Sequence, residues 1–440
     1  MRLSKKRKVK AIGIILLLFN SAGAIAQELT ISAELRPRTE YRNGYSSPVG
    51  ESSSPGVFTT QRTRLNASFK NSYLKTYFSV QDSRTFGESA ITSEVSSSSG
   101  ALSVYEAWAD ILLMPGGSVT IGRQALAYDD NRIFTRSNWS NTGKSHDAAV
   151  FKYQLESIFT ANLGLTYNND KEISKEATYS GVTKYRYMGY LWLSKNIISG
   201  MSISALALDE GIQKQGTDAN GNTTYSSKVD MYHRYTVGGN LKFANAESPF
   251  SCLATAYFQF GKTTATKDLN ASLIALKMNY KINPITTPTI GFDLYSGSDG
   301  KNTTKSKTFN WLYGGTHSFN GYMDYWTGSL PTQGLLDVYG QIAGAINAKL
   351  SYEAGYHIFK TEKEMQYLSE NHGKSLGSEL DLKLSYKINK CVSVEGGWGS
   401  YFLSDNSRYL KLKSTEAKSH NPGWAYVSLT IRPESFLLKL

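Results

Sequence analysis

Leu29-Thr30-Ile31-Ser32-Ala33-Glu34-Leu35-Arg36 runs on through Pro37 to Arg42, and its two faces have opposite character. Leu29, Ile31, Ala33, Leu35 and Tyr41 share one side, while Thr30, Ser32, Glu34, Arg36, Arg38, Glu40 and Arg42 share the other. Because successive side chains of a strand point to opposite faces, this segment reads as a strand that is oily on one face and charged on the other. Ala161, Leu163, Leu165 and Tyr167 repeat the pattern against Asn162, Gly164, Thr166 and Asn168. So do Ile346 to Tyr356 against Asn347 to His357, and Leu380 to Ile388 against Glu379 to Lys387. Alternation sustained over roughly ten residues suits a membrane-spanning strand with lipid on one side and water on the other. Soluble strands average about five or six residues.

Working outward from these segments, the pattern predicts eighteen antiparallel strands. They run near 29–42, 58–70, 73–81, 104–113, 118–124, 147–154, 159–168, 184–195, 200–209, 230–243, 250–261, 270–282, 288–296, 335–341, 345–358, 377–389, 391–402 and 422–432. Connections are short at Asn71-Ser72, Pro115-Gly116-Gly117 and 282–287, and long at 43–57, 82–103, 125–146, 210–229, 297–334 and 403–421. An all-β transmembrane barrel has this asymmetry, with short periplasmic turns and long extracellular loops, and an even count leaves both termini periplasmic. The Ser-rich run 89–100 and the Gly/Asn/Thr-rich run 214–227 read as loop tips. Tyr73, Tyr167, Tyr185, Tyr187, Tyr257, Tyr280, Tyr356, Tyr386 and Tyr401 fall near strand ends and suggest interfacial girdles.

Upstream, a basic stretch enters the apolar block Ala11 to Phe19 and closes on Ala24-Ile25-Ala26, the layout of a secretory signal peptide. Residues 1–26 are therefore expected to be removed, leaving 27–440 as one barrel domain in the outer membrane. Losing Arg2, Lys5, Lys6, Arg7, Lys8 and Lys10 brings the formal charge from +12 to +6. No run of 18 apolar residues follows, which excludes a helical membrane protein. Two cysteines, Cys252 and Cys391, are too few for a disulfide scaffold, and zinc-type spacings are absent.

Chemistry is expected in the lumen. Pairing the first two strands around 43–57 sets Arg38 opposite Arg62 and Arg36 opposite Arg64, all facing inward. Opposed like charges need compensation, from Glu34 and Glu40 or from a transiting anion. Lys75, Arg186, Arg234, Lys242 and Lys277 also point inward, as do Glu106, Asp110, Asp293, Glu353, Glu379 and Asp381. A basic excess in a narrow bore concentrates anionic solutes. An enzyme is not expected. Gly373-Lys374-Ser375-Leu376-Gly377 leads from loop into strand, unlike a nucleophile elbow, and His146 and Asp147 lie on opposite strand faces. Asp129-Asp130 reads as a solvated loop turn, with calcium the lesser alternative.

In this order, several motifs resemble the alginate export family of outer-membrane porins. They are Leu35-Arg36-Pro37-Arg38-Thr39-Glu40-Tyr41-Arg42, Gln61-Arg62-Thr63-Arg64-Leu65-Asn66, Gln81-Asp82-Ser83-Arg84, Glu106-Ala107-Trp108-Ala109-Asp110, Gly122-Arg123-Gln124, Tyr128-Asp129-Asp130-Asn131-Arg132 and His317-Ser318-Phe319-Asn320-Gly321-Tyr322-Met323-Asp324. The resemblance implies a monomeric barrel of eighteen strands, placed by the barrel-assembly machinery, with an electropositive conduit for an acidic polysaccharide narrowed by inward loops. Carried over, Arg36, Arg38, Arg62, Arg64, Arg84, Arg123 and Arg132 are the conduit candidates, with Asp82, Asp129 and Asp130 as partners. Arg84 and Arg123 fall on the outward parity of their strands, so a bulge or strand end must re-aim them to reach the lumen. No cofactor, metal or nucleic acid is expected. The rival expectation is a binding or adhesion barrel plugged by its loops, especially 297–334. The last strand is expected to end near 432, short of Pro433 to Leu440.

Overall fold

The computed structural model describes residues 27–88, 102–156, 158–169, 172, 185–217, 219, 223–225, 230–301, 303–328, 330–414 and 420–439. The signal segment 1–26 and the run 89–100 lie outside the described residues, as does part of 214–227.

Eighteen antiparallel strands close into a barrel. They are β1 (Glu28–Asn43), β2 (Gly56–Lys70), β3 (Leu74–Thr85), β4 (Ser103–Met114), β5 (Gly117–Gln124), β6 (His146–Leu155), β7 (Phe159–Tyr167), β8 (Tyr187–Ile198) and β9 (Met201–Gln213). The second half comprises β10 (Met231–Ala244), β11 (Phe250–Thr264), β12 (Lys267–Tyr280), β13 (Thr287–Tyr295), β14 (Leu335–Ala345), β15 (Leu350–Lys360), β16 (Ser375–Lys387), β17 (Val392–Leu403) and β18 (Gly423–Ile431). Burial is inverted relative to a soluble protein. Leu65, Phe78, Ile121, Phe151, Phe258, Leu384 and Val427 are exposed, whereas Ser79, Thr120, Thr236, Gln259 and Asp337 are buried inside. An apolar belt of this extent needs acyl chains as its solvent. Hence the alternation seen in the sequence is a lipid face against a lumen face.

Asparagines tie off the short turns. Asn71, Asn347 and Asn389 each accept two following backbone N–H groups on Oδ1 at 2.8–3.0 Å, and Asn245 and Asn283 each accept one. Such side-chain turns let the chain reverse in a few residues. At the seam β18 pairs with β1 (Glu40 with Tyr426), and Trp424 Nε1 donates to Glu40 across it at 3.0 Å.

Three expectations are corrected. The last of the eighteen strands ends at Ile431, close to expectation, but the chain beyond it does not leave the wall: after a one-residue slip around Pro433, Phe436–Lys439 pairs with Glu28–Ile31. Proline cannot donate to the ladder, so the break falls there. Tyr185, Tyr257 and Tyr401 are buried inside rather than in a girdle, since Tyr257 shares parity with inward Thr255 and Gln259, and Tyr401 stacks on Tyr325 at 4.0 Å. Finally, 403–421 contains a helix, α1 (Asp405–Leu412), capped by Ser404 with a reciprocal Ser407 bond. Cys252 and Cys391 are both free thiols.

Candidate functional site

Two long connections fold into the extracellular half of the lumen, 125–145 and 296–334. Their backbones join where Tyr313 N–H donates to Ile133 O (3.2 Å) and Gly315 N–H to Asn131 O (2.8 Å). Trp139 stacks on His317 at 3.9 Å, and Phe134 on Tyr313 at 5.6 Å. Phe134, Tyr313, Met323 and Trp326 are almost wholly buried. Together the loops make one packed constriction.

On the β1–β2 wall the register differs from expectation. Arg36 faces Arg62, Glu34 faces Arg64, and Arg38 faces Thr60. The expected pairing slips by two residues, which preserves inward parity because side chains repeat every second residue. The slip serves charge balance: Glu34 now lies diagonal to Arg62 and accepts from its Nη2 at 2.6 Å and Nε at 3.1 Å. Arg38 pairs with Glu40 at 2.9 Å and lies 3.9 Å over the Trp139 ring.

Arg36 and Arg64 form no ion pair among the described residues. Arg36 donates to the carbonyls of Asn138, Trp139 and Ser140 and to Asn141 Oδ1. Arg62 shares two of these acceptors, Asn138 O at 3.2 Å and Ser140 O at 3.1 Å. Arg64 is held by Gln81 Oε1 at 3.0 Å and the Tyr105 face at 3.7 Å, and its Nη2 has no hydrogen-bond partner among the described residues. Backbone carbonyls of 138–140 thus occupy the position that an anion's oxygens would take. Periodicity could not reveal this, because a loop has none.

A second wall further round the ring, β14 to β16, is acidic. His357 Nδ1 lies 2.9 Å from Asp337, and its Nε2 is 3.9 Å from Asp381. Glu379 accepts the Met323 N–H at 2.7 Å, and Asp381 accepts the Tyr322 N–H at 3.2 Å. A Cβ on Gly321 would meet Glu379 Oε1 at 2.4 Å, and its φ is +82°, so glycine is required for this approach. One wall therefore binds loop carbonyls with guanidiniums, and the other binds loop amides with carboxylates.

Arg132 ties the 125–145 loop across to β13. Its guanidinium reaches Asp130 and Asp293, each at 2.7 Å, and Tyr295 Oη at 2.8 Å, with the Phe319 ring 4.1 Å away. Asp129 accepts from Trp192 Nε1 (3.1 Å) and Tyr257 Oη (3.3 Å). Asp130 is thus an anchor of the loop, held by Arg132, whereas Asp129 is exposed in a turn closed by Asn131 N–H on Tyr128 O, as a solvated turn requires, and is reached by two wall donors. Among the described residues no group of three His, Cys, Asp or Glu is placed to hold a metal ion.

Arg84, Asp82 and Arg123 do not join the conduit. Arg84 and Asp82 pair with each other at 2.7 Å on the outward parity of Phe78, and Arg123 pairs with exposed Asp147 at 3.3 Å. No bulge re-aims them, and like-parity neighbours neutralise them at the outer rim. His146 turns the other way and meets Tyr185 Oη at 2.7 Å. Sequence reasoning missed Asp337, Tyr322, Met323 and the 138–140 carbonyls as members of the constriction.

The sequence profile for alginate export matches residues 27–408. The chain belongs to the alginate export family. Solved structures share its fold at low identity. OccK9 (OpdG) of Pseudomonas aeruginosa aligns with a TM-score of 0.61 at 11% identity, over 94% of this chain and 98% of that one. OccAB1 of Acinetobacter baumannii gives 0.60 at 12%, covering 94% and 97%. OpdK of P. aeruginosa, crystallised with vanillate, gives 0.58 at 11%, covering 92% and 99%. No curated protein sequence matches the chain. Family and fold make this member of the alginate export family an outer-membrane porin.

Proposed function

We propose that this porin is a passive diffusion channel favouring anionic oligosaccharides or small acidic solutes, with transport driven by the concentration gradient. The observation that carries the reading is Arg36: a lumen guanidinium with no carboxylate partner among the described residues, held only by neutral oxygens. A fixed charge compensated by dipoles alone keeps its attraction for a mobile anion. Accessible charge adds to this. Lys75, Lys242 and Lys277 are exposed and form no ion pair among the described residues, whereas Glu34, Glu40 and Asp293 are spent on arginines and Glu379 on a loop amide. Arg38, Arg62 and Arg64 extend the basic wall, and Arg132 positions the loop that narrows it. Carboxylate traffic is also consistent with the vanillate bound by the structurally similar OpdK.

The test is the reversal potential of single channels across a salt gradient. Anion preference is expected, and a cation preference unchanged by replacing Arg36, Arg38, Arg62 and Arg64 counts against the reading. One observation favours a second reading, a loop-plugged binding barrel: the dense packing of 125–145 against 296–334. Absent conductance with retained saccharide binding would select it. The barrel is taken to act as a monomer, which chemical cross-linking in membranes checks.

A further inference from the structure

Glu379 and Asp381 occupy alternate positions of β16 and therefore share its lumen face. Both are almost wholly buried, 0% and 2% exposed, where the segment 320–324 lies across them: one oxygen of Glu379 accepts the Met323 N–H, and one of Asp381 the Tyr322 N–H. Their other oxygens, Glu379 Oε2 and Asp381 Oδ1, are buried and find no donor among the described residues. The two side chains instead hydrogen-bond to each other. A carboxylate only accepts, so that bond needs a proton between them. Two acids in contact out of water cannot both carry charge. The neighbours offer little relief. From β15, His357 faces Glu379 across the ladder and lies 3.9 Å from Asp381, but its Nδ1 is committed to Asp337. Asp293 beyond it is held by Arg132, and Lys383 on β16 is held by Glu353 at 3.1 Å. From β17, Tyr401 faces Glu379 and gives its hydroxyl to Leu376 O. The loop adds a further acid, Asp324, bonded to Tyr45 and His317. Among the described residues no lysine or arginine pairs with Glu379 or Asp381.

We propose that Glu379 and Asp381 are a proton-sharing latch: with the proton they hold the 320–324 segment against the wall, and on losing it they release the segment and widen the constriction. The latch does not depend on which solute passes. Its sign follows from proton counting. Docked, the pair keeps one proton; lifted off, both carboxyls meet water, where ordinary carboxylic acids are ionised above about pH 5. The docked state therefore binds one more proton than the released state, and acid favours docking. Across that window each pH unit moves the equilibrium about tenfold toward release, until the docked pair gives up its own proton. Lys411 acts on the neighbouring Tyr325 and Trp326 in the opposite sense and only above 8, so the two effects occupy different ranges. His357 and His317 are the remaining nearby groups of a type that titrates near neutrality.

Two readouts between about pH 5 and about pH 8 test the latch on the full chain: amide exchange of the peptide spanning 320–324, corrected for intrinsic pH dependence, and single-channel conductance in planar bilayers. The parent protein should lose protection by about tenfold per pH unit over part of this range, with conductance rising in parallel. Glu379→Gln keeps an acceptor for the Met323 N–H and gives Asp381 a permanent N–H donor, so it should hold the acid-state protection and conductance throughout. Asp381→Asn should do the same and serves if Glu379→Gln does not assemble, which heat-modifiable migration on gels reveals. Protection in the parent that does not change with pH overturns the latch. So does a response that persists in both variants, which would belong to His357 or His317. Lost protection with no change in conductance overturns its role as a gate.

Discussion

Replacing Arg132 by alanine strands the Asp293 carboxylate. The arginine and Asp293 side chains are 5% and 2% exposed, and their 2.7 Å contact is reinforced by Asp130 at the same distance and by the Tyr295 hydroxyl. Removing one partner of a buried ion pair costs about 3–5 kcal/mol, because the remaining charge stays desolvated. Asp337, facing Asp293 in the ladder between β13 and β14, offers no relief, since it is itself an acid. The ladder hydrogen bonds of the barrel do not involve this side chain, so the cost falls on docking of the 125–145 loop. At 1.4 kcal/mol per tenfold, local opening of that loop should become about one hundred to a few thousand times more frequent. Amide hydrogen exchange with mass spectrometry reads this as lost protection in loop peptides, with β10–β12 peptides as the internal reference. Arg132→Ala/Asp293→Asn should recover part of the loss by removing the stranded charge. Loop protection within tenfold of the parent protein in Arg132→Ala would refute the assignment of Arg132 as the tie.

Arg36→Gln should move the permeability ratio of chloride over potassium toward unity in bilayer recordings, whereas Arg84→Gln, at the outer rim, should leave it unchanged. Phe258→Lys places a charge on the lipid face near the middle of β11 and should destabilise the barrel by about 2–4 kcal/mol, measured by denaturant titration in vesicles. Burial lowers the Lys411 ammonium in α1 to about 8, where it lies 4.9 Å over Trp326 and donates to the Tyr325 carbonyl. An undocked helix carries the ordinary value of 10.5 and binds more protons between the two. Docking of α1 should therefore strengthen as pH rises from 8 toward 10.5 and stay flat below 8. Exchange of helix amides, corrected for intrinsic pH dependence, measures the slope, and Lys411→Met should abolish it.

The strand map was legible because lipid and water impose opposite demands on adjacent residues; Leu29 to Arg42 states both in one segment. Parity survived even where register did not. Arg36 and Arg62 point inward under either pairing, but their true opposition depends on how Glu34 satisfies Arg62, a diagonal contact that alternation cannot express. Outward parity of Arg84 and Arg123 was visible in the sequence, and the structure keeps them outside, paired with Asp82 and Asp147. Loop placement was illegible for a physical reason. The Asn138, Trp139 and Ser140 carbonyls belong to every residue type, so no side-chain pattern marks them as the acceptors of the arginine wall. Asp130 looked solvated for the same reason, since Arg132 closes on it only after the loop has folded inward, while Asp129 does remain exposed. Helix α1 had a local signal in Ser404-Asp405-Asn406-Ser407, too short to compete with the surrounding loop composition.

The most direct measurement is solute entry into liposomes carrying the purified porin, comparing glucuronate with glucose, which match in size and differ in charge. Glucuronate should enter faster, with the advantage shrinking in Arg36→Gln and at high salt, where the fixed charge is screened. Equal rates, or faster entry of glucose, would contradict it.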